Sequence, residues 1–215
     1  MLSKSVEKPL ASWRGKDRID GQVLDTLTVI FRSGGCSWNR CRMCGYRHER
    51  YPDIPRDDLA DRLVRQVRWV KENFRDEDYQ VLKVFTSGSF FDPDEVPAAA
   101  RRAVAEAFRG KMVIAETRPE YIDPDVLREF GEEIDTGAWA TPLSVAMGLE
   151  TTNDFIREKC IDKGFSYADF LRAAEVAHAA SAGVKAYLLM KPPFLTEREA
   201  RDDMVRSIKD VSSVA

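Results

Sequence analysis

Three of the four cysteines fall within nine positions, in Cys36-Ser37-Trp38-Asn39-Arg40-Cys41-Arg42-Met43-Cys44, a C-x4-C-x2-C array preceded by Gly34-Gly35. A disulfide framework would spread them along a smaller, secreted domain, whereas clustered cysteines point to metal. Three thiolates on one short loop can hold three irons of a cubane cluster. The fourth iron then has no protein ligand and is open to a small molecule. Two other chemistries use the same residues. His48 stands four positions after Cys44 and completes a Cys3His zinc set, which would make a structural or RNA-binding module without catalysis. An electron-carrying cluster would need a fourth cysteine, and Cys160 is far off in sequence. Zinc staples serve small domains with little core, and this chain carries the makings of a full one, so the open cluster is favoured. Cys160 alone reads as a small buried apolar residue.

The array follows directly on a strand. Leu27–Arg32 (LTVIFR) is the first of five β-branched runs, followed by Val81–Thr86, Lys111–Glu116, Leu143–Glu150 and Val184–Met190. Their apolar residues are nearly continuous, as in parallel strands covered on both faces. Between them, Leu59, Leu63, Val67, Val70 and Phe74 form one helical stripe. Asp92-Pro93 and Asp123-Pro124 each read as an N-cap with proline at the first helical position. A fourth helix is expected from Ser166 to Gly183, and a fifth opens with Thr196 and Glu199 at capping-box spacing. Repeated strand–helix units imply an α/β fold, either a partial (β/α) barrel or a doubly wound sheet. In a barrel the array would sit on the rim that carries functional loops. Residues 1–20 read as an extended lead-in and residues 21–215 as one domain. Trp69 and Trp139 are expected in the core.

Composition agrees with one globular domain: 215 residues, 44% hydrophobic and 32% charged, with net charge −3. No run nears the ~18 apolar residues of a membrane span, and the polar, basic N-terminus has no secretory pattern, so a cytoplasmic protein is expected. Basic residues gather around the array: Arg40, Arg42, Arg47, Arg50 and His48 against Glu49 alone. They read either as a solvated face or as an RNA-facing rim.

The combination of motifs resembles the radical S-adenosylmethionine (SAM) superfamily, in its Elp3-like branch, and specifically the radical SAM subunits of archaeal archaeosine synthases. The resemblance rests on Cys36–Tyr46 (CSWNRCRMCGY), Phe85–Pro93 (FTSGSFFDP), Glu116–Ile122 (ETRPEYI) and Gly148–Thr151 (GLET), from about residue 20 to 195. It departs from the superfamily's commonest C-x3-C-x2-C by one residue, and Met43 stands where an aromatic is usual.

The resemblance implies a partial barrel with Cys36, Cys41 and Cys44 on a 4Fe–4S cluster and SAM chelating the open iron. Reductive cleavage of SAM would give methionine and a 5′-deoxyadenosyl radical that takes a hydrogen atom from the substrate. Ser87, Gly88 and Ser89 match the loop for the SAM amino group. Glu116 and Glu150 would hold ribose hydroxyls or an ammonium, and Arg118 the SAM carboxylate; an Arg118–Glu116 salt bridge and a turn glycine at Gly88 are the structural alternatives. Met43 and Tyr46 either pack on adenine or belong to the core, and Lys191 either faces the substrate or caps the sheet.

The family reaction implied is conversion of a lysine-adducted 7-deazaguanine base in tRNA to archaeosine by C–N cleavage. A partner subunit that attaches the lysine, and a reductant such as a ferredoxin or flavodoxin, would be needed. A different radical SAM enzyme with a small-molecule substrate is the other catalytic reading. The family also has a sixth strand, so the chain is expected to be incomplete, with an exposed fifth parallel strand and poor solubility on its own.

Overall fold

The computed structural model describes residues 7–51 and 54–214, except for the side chain of Arg47. Lys4, within the expected lead-in, falls outside the described residues. Among the described residues six strands form one sheet in the order β1-β2-β3-β4-β5-β6. They are β1 (Ala11–Ile19), β2 (Gln22–Ile30), β3 (Val81–Phe85), β4 (Met112–Thr117), β5 (Leu143–Glu150) and β6 (Gly183–Leu188). Strands β2 to β6 are parallel, and β1 pairs antiparallel with β2. The α-helices α1 (Arg56–Asn73), α2 (Ala98–Ala107), α3 (Pro124–Ile134), α4 (Tyr167–Ala179) and α5 (Glu197–Val211) cover one face.

Within the expected lead-in, Ala11–Ile19 forms a nine-residue strand. It forms because Asp20-Gly21, both at positive φ (48° and 80°), make the tight turn that suits a two-residue hairpin. The strand lacks an apolar run because charged residues alternate along it. On the concave face Asp17 accepts hydrogen bonds from Lys83 of β3 at 2.9 Å and Lys185 of β6 at 2.8 Å. A carboxylate on the first strand thus reaches the last one, which requires the sheet to curl into a half-barrel.

The main core lies between the convex face and the helices. Leu27, Val29, Leu82, Val84, Val113 and Val145 meet Leu59, Leu63, Val67 and Val70 of α1, Phe130 of α3 and Phe170 of α4. Each such side chain contributes roughly 1.5–3 kcal/mol by burial. Trp69 packs at the edge of this core, and Trp139 against a smaller cluster of Val81, Met112, Ile114 and Ala146.

Three local expectations are corrected. Asp92-Pro93 does not open a helix: the Asp92 carbonyl accepts from Val96 N, its side chain from Asp94 N, and α2 starts only after Pro97. Helix α4 ends at Ala179 because Ser181 turns left-handed (φ 59°), and Gly183 already belongs to β6. There a Cβ would lie 2.5 Å from Ser144 Oγ. Cys160 is half-buried; it sits on a π-helical segment, Ile156–Ile161. The caps at Asp123, Ser166 and Thr196 form as expected. Among the described residues no helix is long and apolar enough to cross a membrane.

Candidate active site

The loops leaving the C-terminal ends of β2 to β6 surround a cavity of about 300 Å³. Its wall includes Cys36, Cys41 and Cys44 from the loop after β2, with Met43 and Tyr46 beside them. Thr86, Ser87 and Gly88 enter from the end of β3, Glu116 and Arg118 from β4, and Glu150 from the last position of β5. Lys163, from the loop after the π-helical segment, and Leu189 complete it. Of the residues expected at a cofactor site, Ser89 and Lys191 are not on this wall. Ser89 is buried behind it, where its Oγ accepts from Arg118 N at 3.0 Å. Lys191 lies three residues beyond β6, exposed and paired with Glu197. His48 is exposed and does not line the cavity.

Backbone approach decides how the loops meet. A Cβ on Gly88 would lie 2.6 Å from Cys36 Cβ and 2.7 Å from its Sγ, so the β3 loop touches the first cysteine only because residue 88 is glycine. That loop is held from behind by Glu95, which no strand-end pattern singled out. Its fully buried carboxylate accepts from Ser33 Oγ at 2.6 Å, Gly88 N at 2.9 Å and Ser89 N at 2.7 Å. Burial pushes the Glu95 carboxyl up, and these hydrogen bonds work against it.

The cysteine loop is docked across the mouth onto the segment after β5. Arg42 N donates to Ile161 O at 2.8 Å, Arg42 Nη1 to Lys159 O at 2.6 Å, and Trp38 Nε1 to Asp162 O at 2.6 Å. Arg118 lies over the rings of Trp38 and Phe165 and donates to Lys163 O at 3.0 Å. These contacts fix the turn that delivers Lys163 into the cavity.

There Lys163 Nζ meets Glu150 Oε1 at 2.8 Å, each side chain 11% exposed. Glu150 is itself left-handed (φ 69°) at an irregularity in the β5–β6 register, a strained geometry of the kind found at working sites. Gly148 leaves room for the pair, since a Cβ there would fall within 3 Å of both charged atoms. Arg118 pairs with Glu120 rather than with Glu116. Burial pushes the Glu116 carboxyl up to about 8; Glu95 and Glu150 add to the rise and Lys163 opposes it. Burial likewise raises the Cys36 and Cys41 thiols, with Arg118 pulling both down and Lys163 pulling Cys41 down.

Among the described residues no group of three His, Cys, Asp or Glu side chains is arranged so that it could hold a metal ion as it stands. The chemistry of the wall nonetheless fits a cluster with a polar molecule beside it. It offers three thiols, a backbone cradle at Gly88 and two cations against two carboxylates. It also carries the buried Ser87 Oγ, which has no hydrogen-bond partner among the described residues.

The model of the radical SAM superfamily matches residues 30–206. The chain is 39% identical over 215 residues to archaeosine synthase subunit beta of Methanosarcina acetivorans, covering 97% of this chain and 60% of that protein. It is 33% identical over 208 residues to the subunit of the same name from Thermococcus kodakarensis, covering 91% and 61%. The chain thus spans about three-fifths of the length of these relatives. Among solved structures, a queuine lyase from Clostridium spiroforme bound to SAM and queuine superposes with TM-score 0.52 at 16% identity, covering 97% of this chain and 93% of that one, a likeness of fold. The chain belongs to the radical SAM superfamily, whose members use a 4Fe–4S cluster and S-adenosylmethionine.

Proposed function

We propose that this protein modifies tRNA, converting a lysine-adducted 7-deazaguanine base to archaeosine by radical C–N bond cleavage. The observation that carries the reading is the meeting of the three-cysteine loop with the polar ends of three neighbouring strands, β3 to β5, on one cavity, in a chain 39% identical to an archaeosine synthase subunit beta. When bound, the cluster and SAM supply reductive cleavage of a sulfonium C–S bond and a 5′-deoxyadenosyl radical that abstracts hydrogen.

The chain's own residues hold and shield. Cys36, Cys41 and Cys44 are the iron ligands, and Ser87 with the Gly88 backbone meets the SAM amino group. Arg118 and Lys163 offer cations to its carboxylate, while Glu116 and Glu150 take ribose hydroxyls or an ammonium. A cation brought to Glu116 restores the charge that burial suppresses. Met43 and Tyr46 cover the adenine. Ser89 acts only by fixing the Arg118 backbone, and Lys191 has no part. The reading includes a partner subunit that attaches the lysine, a ferredoxin- or flavodoxin-type reductant, and work in the cytoplasm.

Anaerobic reconstitution followed by assay for 5′-deoxyadenosine with lysine-adducted tRNA tests it. A brown protein that releases 5′-deoxyadenosine only with that tRNA supports the proposal. A colourless, zinc-loaded protein would restore the Cys3His reading, and turnover on a small molecule alone would point to the other catalytic one.

A further inference from the structure

The concave face of the sheet carries more positive than negative charge. Lys83 of β3 and Lys185 of β6 share one carboxylate, Asp17 of β1, at 2.9 and 2.8 Å. Among the described residues neither lysine pairs with another carboxylate, so two ammonium groups face one anion. Their side chains are 18% and 33% exposed, so neither ammonium is sealed from a polar ligand.

Tyr187 stands one layer nearer the cavity. It follows Lys185 by two positions on β6 and so shares the concave face. Its ring packs against the cluster of Val81, Met112, Ile114 and Ala146 and lies 6.0 Å from the Phe85 ring of β3, across the interior. Its hydroxyl is buried and has no hydrogen-bond partner among the described residues. Burial pushes the phenol up to about 12, with Glu116 and Asp17 adding to the rise, so it keeps its proton and is a donor. Two contacts set it under the cavity. Leu189 of the cavity wall follows it by two residues, a rise of roughly 6.6 Å. Gly148, its partner in the β5–β6 register, lies against the Lys163–Glu150 pair of the same wall.

We propose that Lys83, Lys185 and Tyr187 form a carboxylate subsite that holds the amino-acid end of the substrate's lysine; this rests on the tRNA reading above. Whichever amine of lysine is joined to the base, its carboxylate stays free. That carboxylate supplies what the cluster lacks, an anion for the unmatched ammonium charge and an acceptor for the orphan hydroxyl. Buried donors are ordinarily satisfied, and one left open beside a binding cavity is accounted for by a ligand. Asp17 keeps the two ammonium groups together when no substrate is bound, and competes with the substrate for them. The lysine chain runs along the concave face past the apolar ring of Tyr187, and the C–N bond to be cleaved lies above it at the cavity.

The test compares two tRNAs on the cluster-loaded chain, one carrying the lysine adduct and one a cadaverine adduct, the same chain without the carboxylate. Binding is titrated with S-adenosylhomocysteine in place of SAM, so that nothing turns over. The wild type should bind the lysine adduct about tenfold more tightly than the cadaverine adduct. Lys185→Gln and Tyr187→Phe should each shrink that ratio and leave affinity for the cadaverine adduct as it was. Tyr187→Phe keeps the Asp17 bridge, so its melting midpoint should match the wild type and a folding defect cannot account for its effect. Asp17→Asn should keep or widen the ratio, because it removes a competing anion. A ratio unchanged in both Lys185→Gln and Tyr187→Phe would overturn the inference. So would a ratio in Asp17→Asn that falls as far as in Lys185→Gln, which would make the cluster a structural bridge and nothing more. If the wild type binds both adducts alike and better than unmodified tRNA, the subsite fails while the tRNA reading stands. If it binds S-adenosylhomocysteine but no tRNA, the tRNA reading fails and takes the subsite with it.

Discussion

Residue 88 shows how one atom group sets the site. Its missing side chain would occupy the space of Cys36, with the Cys36 Cα also only 2.9 Å away, so the obstacle includes backbone rather than a flexible tip. Gly88→Ala should therefore cost about 1–3 kcal/mol and impair iron loading, read as lost visible absorbance per chain after reconstitution. Retained loading at wild-type stability would show that the two loops can part without consequence. Lys163 illustrates the opposite kind of dependence. Removing it leaves Glu150 as a buried charge without its cation, which costs about 3 kcal/mol. Lys163→Met should show that loss in urea titrations, and adding Glu150→Gln should return part of it. An additive double variant would mean the two side chains do not interact. The cysteines, Glu116 and Glu150 were legible because each stands at the end of an apolar strand or in a metal spacing. Lys163 and Glu95 were not, since Lys163 reaches the cavity, and Glu95 the back of the β3 loop, from turns whose position only the folded chain defines. The available hint was indirect: a carboxylate closing an apolar strand needs a cation somewhere.

Among the elements, the parallel strands and capped helices were readable from continuous apolar runs and from Asp, Ser and Thr caps. The first strand was not, because its charges alternate and its apolar content is low. Yet Asp20-Gly21 is a strong hairpin signal, and Asp17 gives the strand its structural weight. Burial alone would raise the Asp17 carboxyl, but the hydrogen bonds and charges of Lys185 and Lys83 outweigh it and hold it at about 2. A carboxyl depressed from 3.8 contributes its full stability above that value and loses it as pH falls towards 2. Asp17→Asn should thus lower stability by about 1 kcal/mol at neutral pH, after allowance for solvent screening. The gap between variant and wild type should close as pH falls towards 2. Parallel stability–pH curves for the two proteins would show that the β1–β3–β6 bridge is not what the aspartate contributes.

At the scale of the molecule, the question is whether metal holds the fold or the fold holds the metal. The main core is apolar, lies between the convex face and the helices, and includes none of the four cysteines. The cysteine loop docks on the rest of the chain through Arg42 and Trp38, whose nitrogens donate to the carbonyls of Ile161, Lys159 and Asp162. A zinc-stapled module would behave differently, because there the binding energy is the folding energy. Anaerobic chelation of iron should therefore leave the far-UV circular dichroism unchanged and the thermal transition single. The midpoint should drop by only the few degrees that loss of a bound ligand imposes on a domain of this size. Amide exchange should quicken in residues 34–50 and 153–165, the two segments that dock on each other across the cavity, and stay slow in β2 to β5. The triple substitution of Cys36, Cys41 and Cys44 by alanine should reproduce the chelated state in both readouts. Collapse of the whole circular dichroism signal on chelation would reverse the order of dependence, and with it the reason for reading the cysteines as a reactive centre rather than a staple.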